Sequence, residues 1–146
     1  MDQFVVKTPG RQLDGYGREG EDNRYHGGTI FNDAASGVIW VENQIGLGAG
    51  ETIMAKEVFE EWLKEKAWVE IKHYNSDNGV FTEEEFREDC KEKNQKQSFS
   101  GVGDQHQNSK AERSIQTIVW MARTFMLHVS IQRHDWGDDY RARRHA

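Results

Sequence analysis

The spacing of apolar positions changes several times along the chain, and each change marks an element. Residues 2–8 and 24–32 are short apolar runs with strand character, separated by the Gly- and charge-rich stretch GRQLDGYGREGEDN, which suits a long loop. From 38 to 43, Val38 and Trp40 would face one side and Ile39 and Val41 the other, which predicts a third strand buried on both faces. After Gly46, Gly48 and Gly50, the residues Ile53, Met54, Val58, Trp62 and Leu63 recur at three- and four-residue spacing in a Glu- and Lys-rich background. That period predicts an amphipathic helix over 51–66. Alternation then returns, with Ala67, Val69, Ile71 and His73 set against Trp68, Glu70, Lys72 and Tyr74, so a strand is expected up to the turn Asn75-Ser76-Asp77-Asn78-Gly79.

Thr82 and Glu85 have the spacing of a capping box, which would open a second helix reaching about Glu92. A short strand is expected over 97–100, followed by a loop, GVGDQHQNSK. Beyond it Ala111, Ile115, Ile118, Val119, Ala122, Met126 and Val129 form one continuous stripe, which predicts a long helix. Hairpin-type connections come first and crossovers afterwards, so the order implies a mixed α/β sheet. From Gln132 onward the chain is rich in Arg, Asp and His without an apolar period, and no structure is assigned there.

With 146 residues and 36% hydrophobic content, the chain can build one core and not two. No apolar run approaches a membrane span, and the start MDQFVVKTPG lacks the pattern of a secretory leader, so an intracellular protein without membrane attachment is expected. Cys90 is the only cysteine, which excludes an internal disulfide and a zinc site built on paired cysteines. A net charge of −6 argues against a surface that grips nucleic acid everywhere, because such affinity depends on Lys and Arg neutralising phosphates. Any DNA affinity should therefore be weak and salt-sensitive.

Three carboxylates stand at suggestive places, and each has an ordinary structural explanation. Asp77 lies where a strand ends and a turn leads to a helix, a usual place for functional groups, yet Asn, Ser, Asp and Gly are what any turn would use. Glu112 completes Ser109-x-x-Glu112, which fits a capping box for the long helix. Asp2 would by default be a frayed terminal residue. GLGAGET sits between a strand and a helix like a nucleotide loop, but its glycines lack the dinucleotide spacing and no Lys follows to meet phosphates, so it reads as a linker.

The segments HYNSDNGVFTEEEF and FSGVGDQHQNSKAERSIQTIVWMAR resemble the catalytic core of copia-type retrotransposon and retroviral integrases, and GGTIFNDAASGVIWVENQ is similar to that family's second and third strands. The resemblance spans residues 1–130, leaving 131–146 as a tail, and implies an RNase H-like fold: a mixed five-stranded sheet with flanking helices, incomplete at its C-terminus. It also implies an active site of Asp2, Asp77 and Glu112, with Asn78, Gln107, Asn108, Lys110 and Arg113 approaching DNA. Asp33 matches a family acidic position but is read as a turn residue. The sequence departs from the pattern in four ways. The 34 residues between Asp77 and Glu112 are one fewer than usual, Asp104 stands where relatives carry a small neutral residue, RHDWGDDYRARRHA replaces the family's apolar continuation after the long helix, and the zinc-binding N-terminal domain is missing, so the chain looks like a fragment.

What the resemblance implies chemically is DNA integration: Mg²⁺, with Mn²⁺ able to substitute, held by Asp2, Asp77 and Glu112. Water would cut near the element's DNA end, and the freed 3′-hydroxyl would attack target DNA. Hard oxygen ligands suit such ions, and two of them would make the chain a two-metal polynucleotidyl transferase and endonuclease that needs no protein nucleophile. DNA and further copies of the chain are the implied partners, with a nuclear location at integration and a cytoplasmic particle before it. The alternatives are a catalytically inactive transposon relic that keeps the fold, and an RNase H-like nuclease.

Overall fold

The computed structural model describes residues 1–12, 20–99 and 105–129, with side chains described at all of these except 21, 105–111 and 129. The tail 131–146 and Asp104 lie outside the described residues. Three strands, β1 (Asp2–Gly10), β2 (Tyr25–Asn32) and β3 (Ile39–Gln44), form an antiparallel ladder in that order. Two more, β4 (His73–Ser76) and β5 (Lys96–Phe99), pair in parallel as a second ladder. The helices are α1 (Ala49–Ala67), α2 (Glu84–Glu92) and α3 (Gln105–Val129). All five expected strands and three helices are present, and the mixed α/β, RNase H-like architecture stands. The two ladders meet where the Met1 ammonium donates to the Asn75 carbonyl at 2.7 Å.

Strand pleating sends successive side chains to opposite faces and so makes three layers. On one face Phe31, Trp40 and Tyr74 meet α1: Phe31 stacks on Phe59 with ring centroids 4.7 Å apart, and Trp40 lies 4.9 Å from Trp62. On the other face Phe4, Ile30 and Val41 meet Ile115, Ile118 and Val119 of α3, which are the stripe residues that predicted this helix. Gly27 and Gly28 sit where β2 passes closest to its neighbours. A Cβ at Gly27 would overlap the Phe4 carbonyl, and one at Gly28 the Glu42 carbonyl.

Several local expectations fail for identifiable reasons. The alternation at 67–72 is not a strand: α1 runs on to Ala67, and Trp68 closes it in the left-handed region (φ 56) by donating its N–H to Lys64 O. Trp68 and Val69 are consequently exposed. β3 is not buried on both faces, because it is the outer strand of its ladder and Ile39 is exposed. The Thr82–Glu85 capping box does not form. Thr82 instead donates its hydroxyl to the Asn78 and Gly79 carbonyls, closing a 3-10 turn over Val80–Thr82, and α2 starts beyond Glu83 with no side-chain cap. Nor does Ser109 cap the long helix, which begins at Gln105 and takes up the last six residues of the expected loop.

A polar cluster joins α1 to α2 and β4. Lys56 is fully buried and pairs with Asp89 at 2.6 Å and Glu60 at 3.1 Å, with its ammonium 5.5 Å from the Tyr74 ring. Glu60 also accepts from the Tyr74 hydroxyl (2.7 Å) and from Gln95 (2.6 Å). Burial pushes the Asp89 carboxyl up, but hydrogen bonds from Lys56 and Lys93 outweigh it and hold the group below its usual range. Beside them Cys90 is buried, and its thiol is pushed up to about 11, chiefly by burial.

Candidate active site

Asp77 follows the last residue of β4, and its Oδ1 accepts the Gly79 N–H at 3.2 Å. The turn is pinned from beneath, since Phe81, four residues after Asp77, is completely buried and meets Phe86 edge-on at 5.4 Å. β1 reaches the same place from the other ladder. The Met1–Asn75 hydrogen bond sets the start of β1 beside the end of β4, so Asp2 lies near Asp77 although 75 positions separate them in sequence. Asp2 is buried, and its Oδ1 accepts the Gln3 N–H at 2.9 Å. Neighbouring Gln3 points the other way, to Thr52 Oγ1 (2.9 Å) and the Leu47 carbonyl (3.2 Å), which ties β1 to the start of α1.

The third carboxylate comes from α3. Asn32 at the end of β2 donates to Ser114 Oγ at 2.7 Å, and the buried Ser114 anchors the helix there, two residues past Glu112. Glu112 itself is exposed. Both other carboxylates act on Asp2, whose carboxyl is pushed up to about 6, first by burial, then by Asp77, with Glu112 adding in the same direction.

The donor set matches Mg²⁺ in kind, because all the donors are hard carboxylate oxygens and their mutual repulsion is what a cation relieves. In spacing the match is incomplete. Among the described residues, no three His, Cys, Asp or Glu side chains stand close enough to hold a metal ion.

The proposed DNA contacts fare unevenly. Asn78 and Arg113 are exposed and accessible, while the side chains of Gln107, Asn108 and Lys110 lie outside the described ones. Asp33 is a turn residue as expected, accepting the N–H groups of Ala35 and Ser36. Local sequence reasoning missed the groups that align the three carboxylates, namely the Asn32–Ser114 clamp, the Gln3–Thr52 bond and the Met1–Asn75 bond. Their partners are 82, 49 and 74 residues apart, and no short motif encodes such pairs.

Titration of Asp2 should be visible in stability. Its folded carboxyl titrates near 6 against 3.8 when unperturbed, so between these values the folded state holds a proton that the unfolded state has lost. Stability contributed by this group is present below about pH 4 and lost as pH rises through 6. Asp2→Asn removes the penalty, and after allowance for solvent screening should be more stable at pH 7 by about 1–2 kcal/mol. Urea melts of both proteins from pH 4 to 7 check this; parallel curves would mean that the Asp2 carboxyl is not perturbed.

No protein-family model matches the sequence, and no curated protein does. Solved structures do. The integrase catalytic core domain of HTLV-2, in complex with magnesium, is similar in its trimeric form with a TM-score of 0.63 and 20% identity, over 95% of this chain and 80% of that one. Its dimeric form gives a TM-score of 0.62 at 20% identity over 95% and 79%. A simian T-cell lymphotropic virus intasome in complex with a PP2A regulatory subunit gives 0.69 at 13% identity, over 92% of this chain and 43% of that one. The fold is thus that of integrase catalytic cores.

Proposed function

We propose that the chain is the catalytic core of a copia-type retrotransposon integrase, acting in metal-dependent DNA strand transfer. The observation that carries this reading is that Asp77 and Glu112, widely separated from Asp2 in sequence, both act on its buried carboxyl. The likeness of the fold to integrase cores supports the same reading.

Asp2 and Asp77 would hold one side of a divalent cation and Glu112 would complete the set. Bound there, Mg²⁺ or Mn²⁺ supplies Lewis-acid activation of a phosphodiester and of the attacking oxygen. The chain's own contribution is placement. β1 and the end of β4 hold Asp2 and Asp77 on backbone anchors, α3 carries Glu112 to the rim, and Asn78 and Arg113 are accessible to DNA backbone. The reaction is an in-line displacement in which water, and later a DNA 3′-hydroxyl, attacks phosphorus and the departing 3′-oxygen takes a proton. A chain of net charge −6 needs help to hold DNA. Assembly with further copies fits that need, as does a setting inside the cell, in the nucleus when integration occurs.

A second reading, an inactive relic that keeps the fold, is favoured by one observation: the three carboxylates do not converge into a metal-holding group. Incubation with branched DNA oligonucleotides in Mg²⁺ or Mn²⁺ separates the two. Strand-transfer products that vanish with chelator support the integrase, and a folded protein silent with both metals supports the relic.

A further inference from the structure

The contact of α1 with the sheet is aromatic toward its end, at Phe59 and Trp62, and polar at its start. There Thr29 and Thr52 are completely buried and Gln44 nearly so, and none of the three carries a charge. Their hydrogen bonds form one chain with a fixed direction. The Thr29 hydroxyl donates to Gln44 Oε1 at 2.7 Å, which leaves the amide nitrogen of Gln44 to donate to Thr52 Oγ1 at 3.4 Å. Thr52 gives its own hydrogen to the Gly48 carbonyl at 2.8 Å, so toward Gln44 it can only accept. A hydroxyl has one hydrogen and two lone pairs. The second lone pair takes the Gln3 side-chain amide at 2.9 Å, and the same Gln3 nitrogen gives its other hydrogen to the Leu47 carbonyl at 3.2 Å. The Thr52 hydroxyl and the Gln3 amide nitrogen are therefore both used to capacity.

Gln3 carries this order through the sheet. It pairs with Thr29 on the α1 face, whereas Asp2 pairs with Ile30 on the α3 face, because successive strand residues alternate. The Gln3 backbone N–H donates to Asp2 Oδ1 at 2.9 Å, so the Asp2 carboxylate takes its orientation from the peptide plane that joins it to Gln3. A Gln3 side chain held by two acceptors at the start of α1 fixes that plane. We propose that Thr29, Gln44 and Thr52 are positioning residues for the Asp2 carboxylate, acting through Gln3 from the opposite face of the sheet. Buried beneath α1, none of the three can reach a metal ion or DNA at the site. The inference rests on the reading of Asp2 as one of the metal-binding carboxylates. Apolar contact already fastens α1 to the sheet at Phe59 and Trp62; a buried polar network with every bond made adds a single defined geometry.

Thr52→Val keeps the shape and removes the hydroxyl, Thr52→Ser keeps the hydroxyl, and Thr29→Val breaks the chain at its far end; circular dichroism confirms that each variant is folded. Hydrogen exchange of the Gln3 amide, followed by NMR without metal, reports its bond to Asp2. In Thr52→Val it should quicken about tenfold relative to Phe4 and Val5, the scale of one lost hydrogen bond, and in Thr52→Ser stay within about twofold of the wild type. With saturating Mg²⁺ and branched DNA, kcat for strand transfer should fall about tenfold in Thr52→Val and about threefold in Thr29→Val, because a small misplacement costs rate. KM for DNA should not change, and Thr52→Ser should restore kcat. Unchanged Gln3 exchange in both valine variants overturns the proposal. So does a loss of kcat that Thr52→Ser shares, which would trace to packing. If the wild type transfers no DNA while Gln3 exchange responds as stated, the positioning of Asp2 stands and the integrase reading falls.

Discussion

Lys56→Ala should cost about 3–5 kcal/mol of stability, the usual result of removing one partner from a buried ion pair, and should lower the melting temperature by about 10 °C. The side chain is completely buried, and its ammonium is shared between Asp89 at 2.6 Å and Glu60 at 3.1 Å over the face of Tyr74. Alanine leaves two carboxylates with Lys93 as the cation beside them and with the neutral donors Tyr74 and Gln95 on Glu60, and it opens a cavity between α1 and β4. Lys93 does not rescue them well, since it already engages Glu57 at 3.0 Å and Asp89 at 2.9 Å and is partly solvated. Lys56→Met keeps most of the packing and loses only the charge, so the difference between the two variants separates cavity from electrostatics. Urea denaturation measures both. A loss under about 1 kcal/mol for Lys56→Ala would show that the two carboxylates are relieved by water or by Lys93 once the ammonium is gone, and that the group is not held as a buried pair.

Asp77→Asn should reduce metal-dependent strand transfer by about two to three orders of magnitude, the scale of losing several kcal/mol of metal-assisted transition-state stabilisation. The urea midpoint should hardly move. Asparagine has almost the volume of aspartate, and its amide oxygen can still accept the Gly79 N–H that shapes the turn. Activity and stability therefore come apart at this position, which a purely structural role for Asp77 would not allow. Retained activity in the variant would remove Asp77 from the site.

The elements were legible wherever one face of a strand or helix carries the burial. α3 announced itself by a stripe that does pack on the sheet, and the aromatic positions of β2 and β3 face α1 as alternation requires. α1 was legible as a helix, but its buried face is Thr52, Ala55, Lys56, Phe59 and Leu63, while Met54 and Val58 of the expected stripe are exposed. Misreadings arose where local pattern and tertiary context disagree. Ala67, Val69 and Ile71 alternate like a strand, yet they span a helix end and a connection whose side chains are largely exposed. Thr82 and Ser109 have cap spacing, but one bonds back into a 3-10 turn and the other lies inside a helix that starts earlier. In the site, Asp77 could be placed at a strand end from its turn residues alone. Asp2 and Glu112 could not, since nothing near them in sequence records that β1 lies beside β4 or that Asn32 clamps Ser114.

That Asp2 and Asp77 belong to different ladders means their separation is a property of how two blocks rest against each other, and of neither strand by itself. Each block keeps its own pairing, but they share one aromatic core, with Phe31 of one edge-on to Tyr74 of the other at 6.4 Å, so a shift between them disturbs packing as well as the spacing of the carboxylates. Purifying selection on this architecture would have to act on the seam between the ladders as strongly as on the carboxylates themselves.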